Sequence, residues 1–180
     1  MKNWLKITLF STTCIVFVWV DRVTKQLAKD HLMYSQPKSY FHNTFRFEYV
    51  ENTGAALSFG DDLPQAVSFW LLSIVPLIVI IALFGYVISQ LNNFSRLKLF
   101  SFALIIAGGL GNIIDRIMYD RHVTDFMNMG IGDLRTGIFN VADVYITAGV
   151  IGLFIVYHCC PVKILTFNIY GLNLIKRMIL

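Results

Sequence analysis

Apolar residues in this chain gather into four long runs, and polar residues break those runs at a few positions only. The first run, Ile7 to Val20, holds 14 uncharged residues between Lys6 and Asp21. At 1.5 Å per residue such a helix covers about 21 Å, short of a ~30 Å hydrocarbon core. A spanning helix here must therefore carry charge inward. Asp21 and Lys25 stand at i and i+4, on one face where they can pair, so the helix is expected to continue to Ala28. The second run has no charge between Asp62 and Arg96 and spans Leu63 to Ser89, with Pro76 predicting a kink. The third, Leu99 to Ile114, carries Gly108, Gly109 and Gly111, which suits close helix approach in a membrane, and runs straight into Asp115 and Arg116. The fourth lies between Arg135 and Lys163 with one charge, Asp143, near its start. Between the first two runs, Phe45-Arg46-Phe47-Glu48-Tyr49 alternates with the period of a half-buried strand, and Asn52-Thr53-Gly54 reads as a turn. The pattern predicts an all-α membrane protein: one integral membrane domain, 1–180, with transmembrane helices over 7–28, 63–89, 99–117 and 139–160. A small extracytoplasmic β element is expected between helices 1 and 2.

Composition agrees and narrows the classes. With 56% hydrophobic residues, 14% charged residues and a mean hydropathy of +0.63, the chain is too apolar for an ordinary soluble domain. Four spans leave about 100 residues for connections, which excludes a large second soluble domain. The net charge of +4 is dispersed, with no basic run of the kind that tracks a phosphate backbone, so nucleic acid is not an expected partner. Cys14, Cys159 and Cys160 form neither a disulfide framework nor a metal spacing and are expected to be buried thiols. Lys2 and Lys6 precede an apolar run as in a signal peptide, but no small-x-small cleavage site follows, and Ser11-Thr12-Thr13-Cys14 lacks the character of a lipid-attachment box.

Sorting charges by membrane side puts Lys2, Lys6, Arg96, Lys98, Lys163, Lys176 and Arg177 with the termini, and all 11 acidic residues on the other side. Lys and Arg alone divide seven against eight, so the positive-inside rule does not decide. The short loop carrying Arg96 and Lys98 and the basic tail favour cytoplasmic termini.

Ionisable residues near membrane depth are costly, and each marks a functional hypothesis. Asn112, Asp115 and Arg116 share one helical face at i, i+3 and i+4. Val123-Thr124-Asp125-Phe126 follows a loop, and Phe139-Asn140-Val141-Ala142-Asp143 opens the fourth helix. Asp21 has Lys25 one turn away and Asp115 adjoins Arg116, which favours ion pairs that tie helices together. Asp125 and Asp143 have no local cation. Two readings of them remain open. Brought together in a partly dehydrated site, like-charge repulsion would let them share one proton and work as an aspartic-protease dyad on a trapped water, with neither metal nor cofactor. Otherwise Asp143 caps a helix and Asp125 is a solvated loop residue. His31, His42, His122 and His158 show no metal-ligand spacing.

The motifs Asp21-Arg22-Val23-Thr24-Lys25, Asn52-Thr53-Gly54-Ala55-Ala56, Gly108-Gly109-Leu110-Gly111-Asn112-Ile113-Ile114-Asp115-Arg116, Val123-Thr124-Asp125-Phe126 and Phe139-Asn140-Val141-Ala142-Asp143 occur in this order. Together they resemble the lipoprotein signal peptidase (signal peptidase II) family. The resemblance implies an aspartic endopeptidase that removes signal peptides from diacylglyceryl-modified prolipoproteins in the bacterial inner membrane, cutting before the lipidated cysteine and blocked by globomycin. It implies Asp125 and Asp143 as the catalytic pair, and Asn52, Gly54, Asn112, Asp115, Arg116 and Asn140 as residues that shape or contact the substrate site. Asp21 and Lys25 would belong to its polar network. Membrane lipid is an implied partner, both termini would be cytoplasmic, and the site would lie near the periplasmic face. Leu57 and Leu110 depart from the usual Phe and Ala of the family pattern. The tail after Lys163 matches no motif, and its basic residues suggest a surface helix on anionic lipid.

Two other classes fit parts of the pattern. A proton-coupled transporter would use Asp115, Asp125 and Asp143 as a relay, but the carboxylates gather at one interface and no inverted repeat is apparent. A non-catalytic four-helix scaffold would tolerate Asp to Asn at both positions. With the motifs, the peptidase leads.

Overall fold

The computed structural model describes residues 3–54 and 63–159. The Ala55-Ala56 half of the second motif, the Leu57 departure, Cys160 and the expected surface helix after Lys163 lie outside the described residues. In chain order the elements are α1 (Asn3–Leu32), β1 (Lys38–Tyr40), β2 (Phe45–Asn52), α2 (Gln65–Ser89), α3 (Arg96–Met118), β3 (Val123–Ile131), β4 (Leu134–Arg135) and α4 (Val141–Cys159).

All four helices are long and apolar enough to cross a membrane. The chain is a mostly helical, multi-pass membrane protein. α3 is the inner helix: half of its apolar window is buried, against 17% in each of the other three. Those three expose Ile15, Trp19, Ile78, Ile81, Val150 and Phe154, as helices facing lipid do. The core between α1, α2 and α3 is built from Phe10, Cys14, Ile80, Val87, Phe102, Ala103 and Ile106.

The helix directions follow from the contacts. Lys6 Nζ donates to Asn92 Oδ1 at 2.8 Å at one end of the bundle. Towards the other end the Phe17 ring lies 5.0 Å from that of Tyr145, and the Ala142 amide reaches Asp21. α1 and α3 therefore run towards the sheet and α4 runs away from it. Every described acidic residue lies towards the sheet end.

Glycine sets the α3–α4 spacing. A Cβ on Gly108 would stand 2.4 Å from the Ala142 carbonyl oxygen, and one on Gly149 would stand 2.6 Å from that of Ser101. The backbones approach more closely than any side chain permits, as expected for the Gly-rich third run. On α2, a π-helical turn over Trp70–Ile74 lies immediately before Pro76. Proline has no N–H to donate and its ring crowds the carbonyl four residues back, that of Leu72, so the wider turn lies where the α ladder cannot close.

The expected strand is β2, but the sheet is larger than the alternation suggested. It has four antiparallel strands in the order β1-β2-β3-β4, and its second half comes from the segment between α3 and α4. β3 was legible only as a loop with an aspartate because its first four residues are all buried, leaving no alternation to read. Val50 pairs with Asp125 and Asn52 with Val123, beyond a register shift between Phe47 and Val50. Ala28, Leu32 and Phe126 pack with Phe47, Tyr49, Met127 and Val141, fixing the sheet to the ends of α1 and α4.

Gly111→Ala would drive a methyl to 2.4 Å from Asp21 Oδ2, whereas a Cβ on Gly85 meets nothing within 4 Å. The former is expected to cost about 1–3 kcal/mol as overpacking, and Gly85→Ala to be neutral or stabilising by up to about 1 kcal/mol. Thermal unfolding of the two variants in detergent checks this contrast.

Candidate active site

The polar residues of all five motifs converge where α1 and α3 end, α4 begins and β2 meets β3. At the centre is Lys25, 1% exposed, with its ammonium 2.9 Å from Asp21 Oδ2 and 2.8 Å from Asp115 Oδ2, and donating to Asn112 Oδ1 at 2.9 Å. Three oxygens, two of them charged, surround the ammonium, which is what a buried cation requires. Asp21 and Asp115 are each fully buried. Asp115 Oδ1 pairs with Arg22, whose other nitrogen donates to the Tyr119 hydroxyl at 3.0 Å. Two carboxylates and two cations thus balance. Asp115 pairs with cations of α1 and not with its neighbour Arg116, because successive helical residues point in different directions.

The start of α4 is held from two sides. Asn140 and Asp143 form a reciprocal cap: the Asp143 amide donates to Asn140 Oδ1 at 3.1 Å, and the Asn140 amide donates to Asp143 Oδ2 at 3.0 Å. The Ala142 amide, a further first-turn donor, is taken by Asp21 Oδ1 at 3.0 Å. The capping role foreseen for Asp143 is therefore real, yet it uses one oxygen only.

Amide side chains carry the geometry from Lys25 to the remaining carboxylates. Lys25 only donates, so the Asn112 oxygen must face it, and the Asn112 Nδ2 turns to Asp143 Oδ1 at 2.9 Å. Asn140 Nδ2 donates to Asn112 Oδ1 at 3.1 Å and to Asp125 Oδ1 at 2.6 Å. Asn52 Nδ2 reaches Asp125 Oδ2 at 3.0 Å, while its oxygen accepts from the Gly54 amide at 2.9 Å in the expected turn. Asn52 stands opposite Val123, so Asp125 is its diagonal neighbour on the same face of the sheet.

Asp125 is 3% exposed and sits on β3, which removes the alternative of a solvated loop residue. Among the described residues neither Asp125 nor Asp143 is in an ion pair. Burial pushes the Asp125 carboxyl up to about 6, the charge of Asp143 adds to the rise, and the amides of Asn52 and Asn140 oppose it. Desolvation, more than the like-charge repulsion expected from sequence, is the larger cause.

A cavity of about 460 Å³ opens on both carboxylates. Asn52, Asn112 and Arg116 line it with Asp125 and Asp143, and Ile138, Phe139 and Ile146 supply apolar wall. Asp21, Lys25, Gly54, Asp115 and Asn140 stand behind this lining. Arg116 donates to the carbonyls of Thr53 at 3.3 Å, Arg121 at 3.1 Å and Gly54, clamping the exit of β2 to the turn after α3. Sequence reasoning gave no role to Arg22, Tyr119 or the wall Thr136–Phe139. For the first two the missing signal is tertiary, since their partners lie on another helix; for the wall, nothing in its composition marks a site.

Residues 13–159 match the family described as signal peptidase (SPase) II. The lipoprotein signal peptidase of Borrelia duttonii (strain Ly) is 33% identical over 147 residues, covering 79% of this chain and 84% of its own length. Those of Borrelia garinii subsp. bavariensis and Buchnera aphidicola subsp. Acyrthosiphon pisum (strain APS) are 34% and 35% identical, covering 87% and 83% of this chain and 91% and 89% of theirs. A solved structure described as a bacterial membrane enzyme superposes with a TM-score of 0.70 at 27% identity, covering 83% of this chain and 87% of its own.

Replacing Lys25 by Met leaves Asp21 and Asp115 buried with one cation fewer. The expected loss is about 3–5 kcal/mol, with partial recovery in the Lys25→Met/Asp115→Asn double variant, measured by unfolding in detergent.

Proposed function

The chain belongs to the signal peptidase II family, peptidases that remove signal peptides from lipoproteins, and we propose that it works by an aspartic mechanism with Asp125 and Asp143 as the reacting pair. The observation that carries this reading is the pair itself: two carboxylates without a cation partner among the described residues, held by the amides of Asn52, Asn112 and Asn140 on one cavity. A structural carboxylate in such a place would be expected to have a cation, as Asp21 and Asp115 do.

The chemistry follows from one shared proton. The ionised member accepts a proton from water as the water attacks the scissile carbonyl. The protonated member donates to the carbonyl oxygen and stabilises the tetrahedral intermediate, and no covalent enzyme intermediate is required. Burial of Asp125 favours its neutral form and supports it as the resting carrier of that proton. Asn140, touching both carboxyl groups, keeps them in register. The substrate is a diacylglyceryl-modified prolipoprotein, cut just before the lipidated cysteine, and globomycin blocks the cut. The acyl chains stay in the bilayer while the peptide bond enters from the interface. In this reading the protein lies in the bacterial inner membrane with both termini cytoplasmic and the cavity near the periplasmic face. The basic Lys6, Arg96 and Lys98 at the end of the bundle away from the sheet support that orientation.

Purified protein in detergent should convert such a prolipoprotein with the mass shift of a lost signal peptide, and globomycin should stop it. Asp125→Asn and Asp143→Asn should fold and lose about 10²- to 10⁴-fold or more in kcat/KM. Either variant turning over at near wild-type rate would remove that residue from the pair.

Because the working form holds one proton, the alkaline limb of the pH profile reports its loss. The Asp125 carboxyl at about 6 places that limb of kcat/KM near pH 6, with activity falling as pH rises through it. Substrate that excludes water raises the value further, so the kcat limb is expected at higher pH than the kcat/KM limb. Initial rates at limiting and saturating substrate across about pH 4 to 9 separate the two limbs.

A further inference from the structure

The cavity wall between β4 and α4 carries an irregularity that the carboxylate pair does not explain. Thr136 N donates to Met129 O at 2.7 Å and Thr136 O accepts from Asn128 Nδ2 at 2.7 Å. Three residues on, Phe139 N donates to Met127 O and Phe139 O accepts from Met127 N, both at 2.8 Å. Three steps along this run therefore match two along β3, which is the spacing of a bulge. The residues between the two fastenings, Gly137 and Ile138, make no main-chain hydrogen bond among the described residues. Both line the cavity that holds Asp125 and Asp143.

Main-chain N–H and C=O groups seek partners, and an extended peptide supplies them as an added strand. Glycine at position 137 lets a second backbone come close. The amides of Asn112 and Asn140 are committed to the carboxylates and to each other, so the open main-chain groups of this wall are the fitting partners for a peptide backbone. We propose that Gly137 and Ile138 form a rail on which the substrate backbone beside the scissile bond is held in extended form by main-chain hydrogen bonds. The rail is fastened at both ends to β3, the strand that carries Asp125, so it positions the peptide relative to the reacting carboxyl. It also reads no side chains, which lets prolipoproteins of different sequence dock alike. This inference rests on the peptidase reading of the carboxylate pair.

The test uses the full chain in detergent micelles and a series of diacylglyceryl-modified prolipoprotein peptides. Single amides flanking the scissile bond are replaced by esters one at a time, leaving the scissile amide intact. In an added strand alternate residues face the same neighbour and the rail is two residues long, so kcat/KM should fall about three- to tenfold at one or two alternate positions and stay near the parent value at the others. Ile138→Pro, which removes one N–H of the rail, should lower kcat/KM by a similar factor or more, with Ile138→Val near wild type. Should Ile138→Pro fail to fold, the ester series on the wild-type protein still decides. If the parent peptide is cut but every ester peptide is cut equally fast, the rail is overturned while the peptidase reading stands. If folded wild-type protein leaves the parent peptide intact, the peptidase reading falls and the rail with it.

Discussion

A single buried ammonium organises this molecule. Lys25 joins Asp21 of its own helix to Asp115 and Asn112 of α3, inside a bundle whose outer faces are apolar. Alone, each of these charges would be expelled from such an environment. Together they neutralise one another and draw α1 onto α3, and the second oxygen of Asp21 fastens the first turn of α4. Because the ammonium can only donate, it fixes which way the Asn112 amide points, and that orientation passes to Asp143 and, through Asn140, to Asp125. The electrostatics that hold the helices together and the geometry of the cavity are one network.

How much of this was legible in the sequence varies by residue. The second helix follows from a charge-free run long enough to span a bilayer, the others from shorter apolar runs whose ends must carry charge inward, and the Asp21–Lys25 pair follows from its i, i+4 spacing. The close α3–α4 contact is foreshadowed by Gly108 and Gly111. Asp125 is the hard case: β3 is buried on both faces at its start, so it shows no period-2 pattern, and nothing local reveals that it pairs with Val50 of β2, 75 residues earlier in the chain. Neighbourhood in sequence also misled at Asp115, whose partners are across the bundle and not beside it. Motif resemblance reached the site residues sooner than periodicity could, because motifs preserve the outcome of tertiary contacts that no local pattern encodes.

The two classes of carboxylate here differ in surroundings more than in kind. Asp21 and Asp115 face cations and accept from backbone amides, whereas Asp125 and Asp143 receive hydrogen bonds from neutral amides and have no cation in an ion pair among the described residues. A neutral donor orients a carboxyl without pinning it to the charged state, which is what the proposed proton exchange requires. The sequence offers four similar aspartates near one interface, and partner choice sorts them into two that pair with cations and two that do not.

The glycine seam between α3 and α4 bears on how the molecule can deform. Where Gly108 and Gly149 meet the Ala142 and Ser101 carbonyls, with the Ile146 and Ile105 side chains closing on the same glycines, the seam leaves no slack for a sliding motion. The two helices carrying Asn112 and Asp143 then behave as a stiff block. With the sheet packed on the ends of α1 and α4, the spacing between Asn112 and Asp143 is therefore set by backbone contact along the whole seam and not by the polar network alone.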